Sequence, residues 1–228
     1  MFPTLALIAF GLSSFAHANE DATELLNRRL RRQNDADTTL SQSQANPDLY
    51  PASTQYPEMK VNFTKLVRYG PQAQAKADRV KHILEAVLNS EELEARVLNF
   101  EWDGKRQFAS TAISNGEVYH SIRVGHELAY EGEEHSLDIE NEIYWPFALW
   151  FWKKWSVVGY TLPDSPRIWT NGNWFYRMTD AELAGHFVHE WLHKIGFGHD
   201  FNRTAKRPYS VPYGVGGIIE DIAVRQFP

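Results

Sequence analysis

The feature that most constrains this chain is the run His189-Glu190-Trp191-Leu192-His193-Lys194-Ile195-Gly196-Phe197-Gly198-His199-Asp200, which reads H-E-x-x-H-x-x-G-x-x-H-D. Two histidines four apart on a helix lie on one face, about one turn apart. Neutral imidazole is a good zinc ligand, and three protein ligands leave a fourth position open for a water whose pKa falls to roughly 7. Glu190 follows the first histidine directly, so its carboxylate can reach such a water as general base. Gly196 can end the helix in a left-handed conformation and turn the chain so that His199 returns to the metal. His189, His193 and His199 are therefore the candidate ligands, and Glu190 the candidate base.

The helix this motif needs is well specified. Thr179 can cap its start, with Glu182 three residues on completing a capping box and Met178 and Leu183 at the positions of a hydrophobic staple. Leu183, Ala184, Phe187, Val188, Trp191, Leu192 and Ile195 form an apolar side, while His186, His189, Glu190 and His193 fall on one arc. His186 is expected to be an exposed polar position, with orientation of a ligand as the functional alternative.

Residues 189–200 resemble the long zinc-binding consensus of the metzincin metalloproteases, and the resemblance is weak elsewhere. It implies Zn2+ held by His189, His193 and His199, with Glu190 as general base. Asp200 after the third histidine looks most like the adamalysin pattern. Metzincins carry a methionine-containing turn beneath the metal, often Ser-x-Met-x-Tyr. The comparable stretch here is Tyr209-Ser210-Val211-Pro212-Tyr213-Gly214, and Met1, Met59 and Met178 all lie upstream of it. Val211 or Pro212 is left to supply the apolar floor. In some metzincins the tyrosine of this turn approaches the metal. That makes Tyr213 a catalytic candidate, with Tyr209 second and a packed loop aromatic as the alternative.

Hydrophobic content of 43% over 228 residues is enough for one packed domain. Net charge is −6 and no basic cluster sits in the expected domain, which argues against a nucleic-acid partner. Residues 1–18 look like a secretory signal: Leu5 to Phe15 is mostly apolar and Ala16-His17-Ala18 is a small-x-small cleavage site, although no Lys or Arg precedes the run. The absence of cysteine is compatible with a secreted or periplasmic protein without disulfides. Residues 19–58 are polar and poor in large apolar groups, expected to be a propeptide or flexible linker, with Arg28, Arg29, Arg31 and Arg32 as a processing site under the first reading. An acidic residue such as Asp35, Asp37 or Asp48 is the candidate for blocking the metal in a precursor. Residues 59–228 are expected to form the catalytic domain, acting as a monomer without membrane contact.

Within that domain, apolar periodicity predicts a helix over 73–88 and a short one over 91–97. Strands are expected at 98–102 and 107–113 around the Asp103-Gly104 turn, at 118–124 after Asn115-Gly116, at 137–144 and at 167–170. Val211 to Gly217 is expected as a bent glycine-rich loop forming a pocket wall, followed by a short helix over 218–224. The fold class is α+β. The resemblance gives it a zincin-like form, a twisted mixed sheet with a backing helix and the active-site helix. A second metal site among His120, His126, His135 and their acidic neighbours is weighed against a solvated acidic loop. The aromatic run Trp145 to Trp155 is read as a groove lining, a glycan or membrane surface, or part of the core.

The function expected from these readings is that of a zinc endopeptidase acting on polypeptides. Its rivals are a hydrolase of cell-wall peptides or amides, and a zinc-stabilised binding module with vestigial catalysis.

Overall fold

Strand β3 (Ser136–Tyr144) organises the molecule. Its Leu137, Ile139, Asn141 and Ile143 alternate along one face, and all four are fully buried. Asn141 is accommodated there because its amide donates to the Ile168 carbonyl at 3.0 Å and Thr170 Oγ1 at 2.8 Å and accepts from the Tyr69 hydroxyl at 2.7 Å, so no buried polar group is stranded. The computed structural model describes residues 56–128, 135–146, 157–162 and 165–228, and the backbone of 19–21. The expected signal segment, the arginine-rich run and the aromatic residues 147–155 lie outside the described residues.

Around β3 lie β1 (Asn19–Asp21), β2 (Lys60–Val67), β4 (Val157–Thr161) and β5 (Arg167–Asn171), in the spatial order β1-β4-β5-β3-β2. β2 and β5 run parallel to β3, while β4 runs antiparallel to β5, giving a mixed sheet. β1, drawn from the start of the polar segment, pairs antiparallel with the outer edge of β4. The helices are α1 (Pro71–Leu88), α2 (Glu91–Leu98), α3 (Asn115–Val124), α4 (Gly172–Phe175), α5 (Asp180–Lys194) and α6 (Val211–Gln226). α1 and α5 pack on each other and on the sheet, and α6 packs along α5. The class is thus α+β, with the helix carrying the histidine motif buried between the sheet and α6.

Three expectations are corrected. No strands form over 98–102 and 107–113: the Asp103-Gly104 turn is present, with both residues at positive φ, but only an isolated Trp102–Lys105 bridge flanks it. Phe108 instead enters the core and stacks on Phe100 with centroids 4.1 Å apart. The expected strand at 118–124 is helix α3. Ser114 and Glu117 form a reciprocal capping box, and Val118, Tyr119 and Ile122 bury one helical face, so the cap outweighs the turn signal of Asn115-Gly116. Residues 211–217 are the first two turns of α6 rather than a loop. Pro212 suits a first helical turn, and the glycines serve close approach. A Cβ on Gly214 would meet the Phe100 and Phe108 rings at 2.9 Å, and one on Gly216 the Gly185 carbonyl oxygen at 2.9 Å.

Candidate metal centre

α5 is fixed at its start by cations of α1 and at its end by its own last residue, Lys194. At its start Thr179 accepts from the Glu182 backbone N–H, and Glu182 accepts from that of Thr179 at 2.8 Å. Lys76 of α1 donates to the carbonyls of Phe175 (2.8 Å) and Met178, and Arg79 donates to both carboxylate oxygens of Asp180. At its end the Lys194 ammonium donates to the carbonyls of Leu162, Ser165 and Arg167. Burial pulls the pKa of Lys194 down to about 8, against the opposing pull of Glu190, Glu140 and Glu127. The backbone N–H of Leu128 donates to the Lys194 carbonyl at 2.9 Å, closing the last turn.

Beyond Lys194 the chain reverses as the motif requires. Gly196 has φ +100°, and the Phe197 N–H donates back to the Leu192 carbonyl at 2.9 Å. This reversal also orients a candidate ligand, because Phe197 returns its carbonyl to His193 Nδ1 at 2.7 Å. His199 Nδ1 lies 3.0 Å from the Asp200 carbonyl. A carbonyl only accepts, so Nδ1 of each ring carries the hydrogen and the neutral imidazole presents the Nε2 lone pair. The Asp200 carboxylate accepts from Thr204 Oγ1 at 2.5 Å.

His189, His193 and His199 converge: each offers a ligand atom, and these atoms lie within 4.8 Å of one another. Their ring centroids are 4.9–5.4 Å apart. His189 and Glu190 are fully buried. Three nitrogen donors, two of them oriented by backbone carbonyls, fit a metal ion that takes neutral imidazoles and keeps a further position open. Glu190 lies within electrostatic reach of Lys194 and Tyr144, and Tyr144 is raised above its ordinary pKa first by burial and then by Tyr160 and Glu190.

Tyr213, the candidate from the turn, is 2% exposed and packs its ring against His189 and His199, while its hydroxyl accepts from Arg207. Tyr213 thus packs directly against two of the three histidines. Tyr209 instead packs against Phe100 and Trp102. His186 is not exposed. It is buried under β4, where a Cβ on Gly159 would come within 2.4 Å of its ring, and its Nε2 lies 3.2 Å from Thr170 Oγ1. Its polarity is absorbed by the sheet.

Among the described residues no second cluster has metal-binding geometry. His120 Nδ1 meets the Tyr56 hydroxyl and His135 Nδ1 the Arg123 carbonyl. Glu127 is buried and accepts from the Trp191 indole N–H at 2.6 Å. Trp145, the described member of the aromatic run, stacks on Tyr176 and is 57% exposed, so it is not core. Sequence reasoning missed Lys76, Arg79, Lys194 and Arg207, the cations that hold the site's elements, of which all but Arg79 are buried. Nothing in their spacing marks them, because each finds its partner far along the chain or through a backbone carbonyl. No family model matches the chain, and neither the curated proteins nor the solved structures include one that matches it.

Proposed function

We propose that this chain is a zinc-dependent endopeptidase of metzincin type that works outside the cytoplasm, in a secreted or periplasmic setting. The observation that carries the reading is the convergence of His189 and His193 of one buried helix with His199 of the loop beyond it, beside Glu190. Export rests on the signal-like pattern of residues 1–18. No helix among the described residues is long and apolar enough to cross a membrane.

Zn2+ at the three imidazoles would supply Lewis acidity toward the scissile carbonyl and an acidified water. The chain's own residues supply the rest. The carbonyls of Phe197 and Asp200 hold two rings with Nε2 toward the metal, so little reorganisation is left for binding. Glu190 takes a proton from the attacking water and returns it to the leaving amine nitrogen, and burial keeps bulk water from competing for that proton. Lys194 attracts the Glu190 carboxylate through the interior, where charges are weakly screened.

Mass-spectrometric profiling of a mixed peptide library tests this, with the full zinc-loaded chain set against its Glu190→Ala variant. Cuts made by wild type alone are expected, and their flanking residues will describe the substrate pocket. If neither protein cuts any peptide, the endopeptidase reading is wrong. Fragments released from purified peptidoglycan in the same assay would assign the site to cell-wall amides instead.

A further inference from the structure

The Tyr213 ring lies against two of the three candidate ligands. Its centroid is 4.4 Å from that of His189 at an interplanar angle of 72°, and 4.9 Å from that of His199 at 50°. The hydroxyl is held elsewhere, accepting from Arg207 Nη2 at 2.6 Å and Nε at 3.1 Å. Arg207 is itself buried, and its Nη1 reaches the carbonyl of Phe201 at 3.4 Å, two residues past His199. One guanidinium thus ties the phenol to the loop that carries the third histidine.

The backbone explains the placement. α5 and α6 touch where Gly185 faces Gly216, and a Cβ on Gly216 would lie 3.3 Å from His189 Cβ. His189 stands four residues after Gly185 and Tyr213 three residues before Gly216, so helical geometry brings both side chains to the same end of the contact. Side chains at the crossing would hold the helices further apart and withdraw the ring from the imidazoles.

We infer that Tyr213 is a positioning residue: its ring, clamped by Arg207, sets the ring planes of His189 and His199 from beneath and fills the place where a methionine is expected. The inference rests on the proposed metal site. The aromatic face does this work, and the hydroxyl serves to anchor it to Arg207.

Co2+ is the probe, added to the full chain after metal removal and read by its visible ligand-field bands, with affinity from chelator competition. Far-ultraviolet circular dichroism checks that each variant folds. Tyr213→Leu removes the ring and is expected to weaken Co2+ binding by about 10–100-fold and to shift the bands. Tyr213→Phe keeps the ring, with the Arg207 guanidinium carbon 5.0 Å from its centroid, but loses the hydroxyl clamp, so affinity is expected within about threefold of wild type and the bands broadened as in Arg207→Met. Arg207→Met leaves the ring unclamped and is expected to broaden the bands, which keeps the test decisive if Tyr213→Leu does not fold. Wild-type bands and affinity in both Tyr213→Leu and Arg207→Met would overturn the inference. So would a Tyr213→Phe variant that binds Co2+ normally but loses roughly 100-fold in turnover, since the hydroxyl would then act on substrate. If wild type itself gives no Co2+ bands, the metal site fails first, and that result is distinct from a variant effect.

Discussion

Trp191 fills the side of α5 away from the histidine cluster and hands its indole N–H to Glu127, a carboxyl buried beneath the helix. Burial raises the Glu127 pKa above its ordinary value, and the bonds from Trp191 and the Asp138 N–H only partly offset this. The sign for stability follows from linkage. A carboxyl whose folded pKa is raised favours folding while protonated, and that advantage is lost as pH rises through its folded value. Glutamine copies the protonated form at every pH and still accepts from the indole. Glu127→Gln should therefore raise the urea midpoint at pH 8 and leave it nearly unchanged at pH 4, measured by tryptophan fluorescence. A lower midpoint at pH 8 would show that the ionised carboxylate stabilises the fold. At this scale the convergence of His189, His193 and His199 was legible because metal-binding chemistry fixes their spacing. His186 was not, because a helical wheel gives a residue's direction but not what covers it, and the cover is Gly159 of β4.

Helices α5 and α6 meet at two glycines, and the contact leaves no room for a methyl group. A Cβ on Gly185 would lie 2.7 Å from the Gly216 carbonyl oxygen, which is backbone and moves only with the helix. Gly185→Ala is expected to cost roughly 1–3 kcal/mol of stability, as overpacked cores do. It should also weaken metal binding, because α6 carries Tyr213 away from His189 and His199. Gly70→Ala, which adds a methyl where nothing lies within 4 Å, is the control and should stay within about 0.5 kcal/mol. Equal urea midpoints for the two variants would contradict the close-approach argument. The periodic elements α1, α2, β3, β5 and α5 were legible in the sequence. Their apolar positions repeat cleanly, and α5 has its capping box as well. Two of the errors fall where glycine and asparagine were taken as turn formers. Asn115-Gly116 lies inside a capped helix, and Gly214 and Gly216 are small because aromatic rings and a helix backbone press on them.

For the molecule as a whole, a metal held by the three histidines would link α5 to the loop beyond it, since His189 and His193 come from α5 and His199 from that loop. A ligand that binds only the folded state stabilises it by RT ln(1 + [L]/Kd), about 2.7 kcal/mol at a hundredfold excess over Kd. Zn2+ added to the metal-free chain should accordingly raise its melting temperature by roughly 5–10 °C, and His193→Ala should abolish the rise. No rise in wild type would mean that the three imidazoles do not hold zinc in the folded state. The α+β class and the central helix could be anticipated from the order of periodic segments. β2 and β4 were not anticipated, and neither was β1 on the outer edge of β4, because a strand gains its definition from its neighbours. The central claim is that the three histidines hold zinc while Glu190 performs the proton transfer. Its most direct test is to measure zinc per chain and peptide turnover together in wild type and Glu190→Ala. The account predicts about one zinc per chain in both proteins, with turnover lower by roughly 10²–10⁴-fold in the variant. Turnover at the wild-type rate in Glu190→Ala, or no bound zinc in either protein, would contradict it.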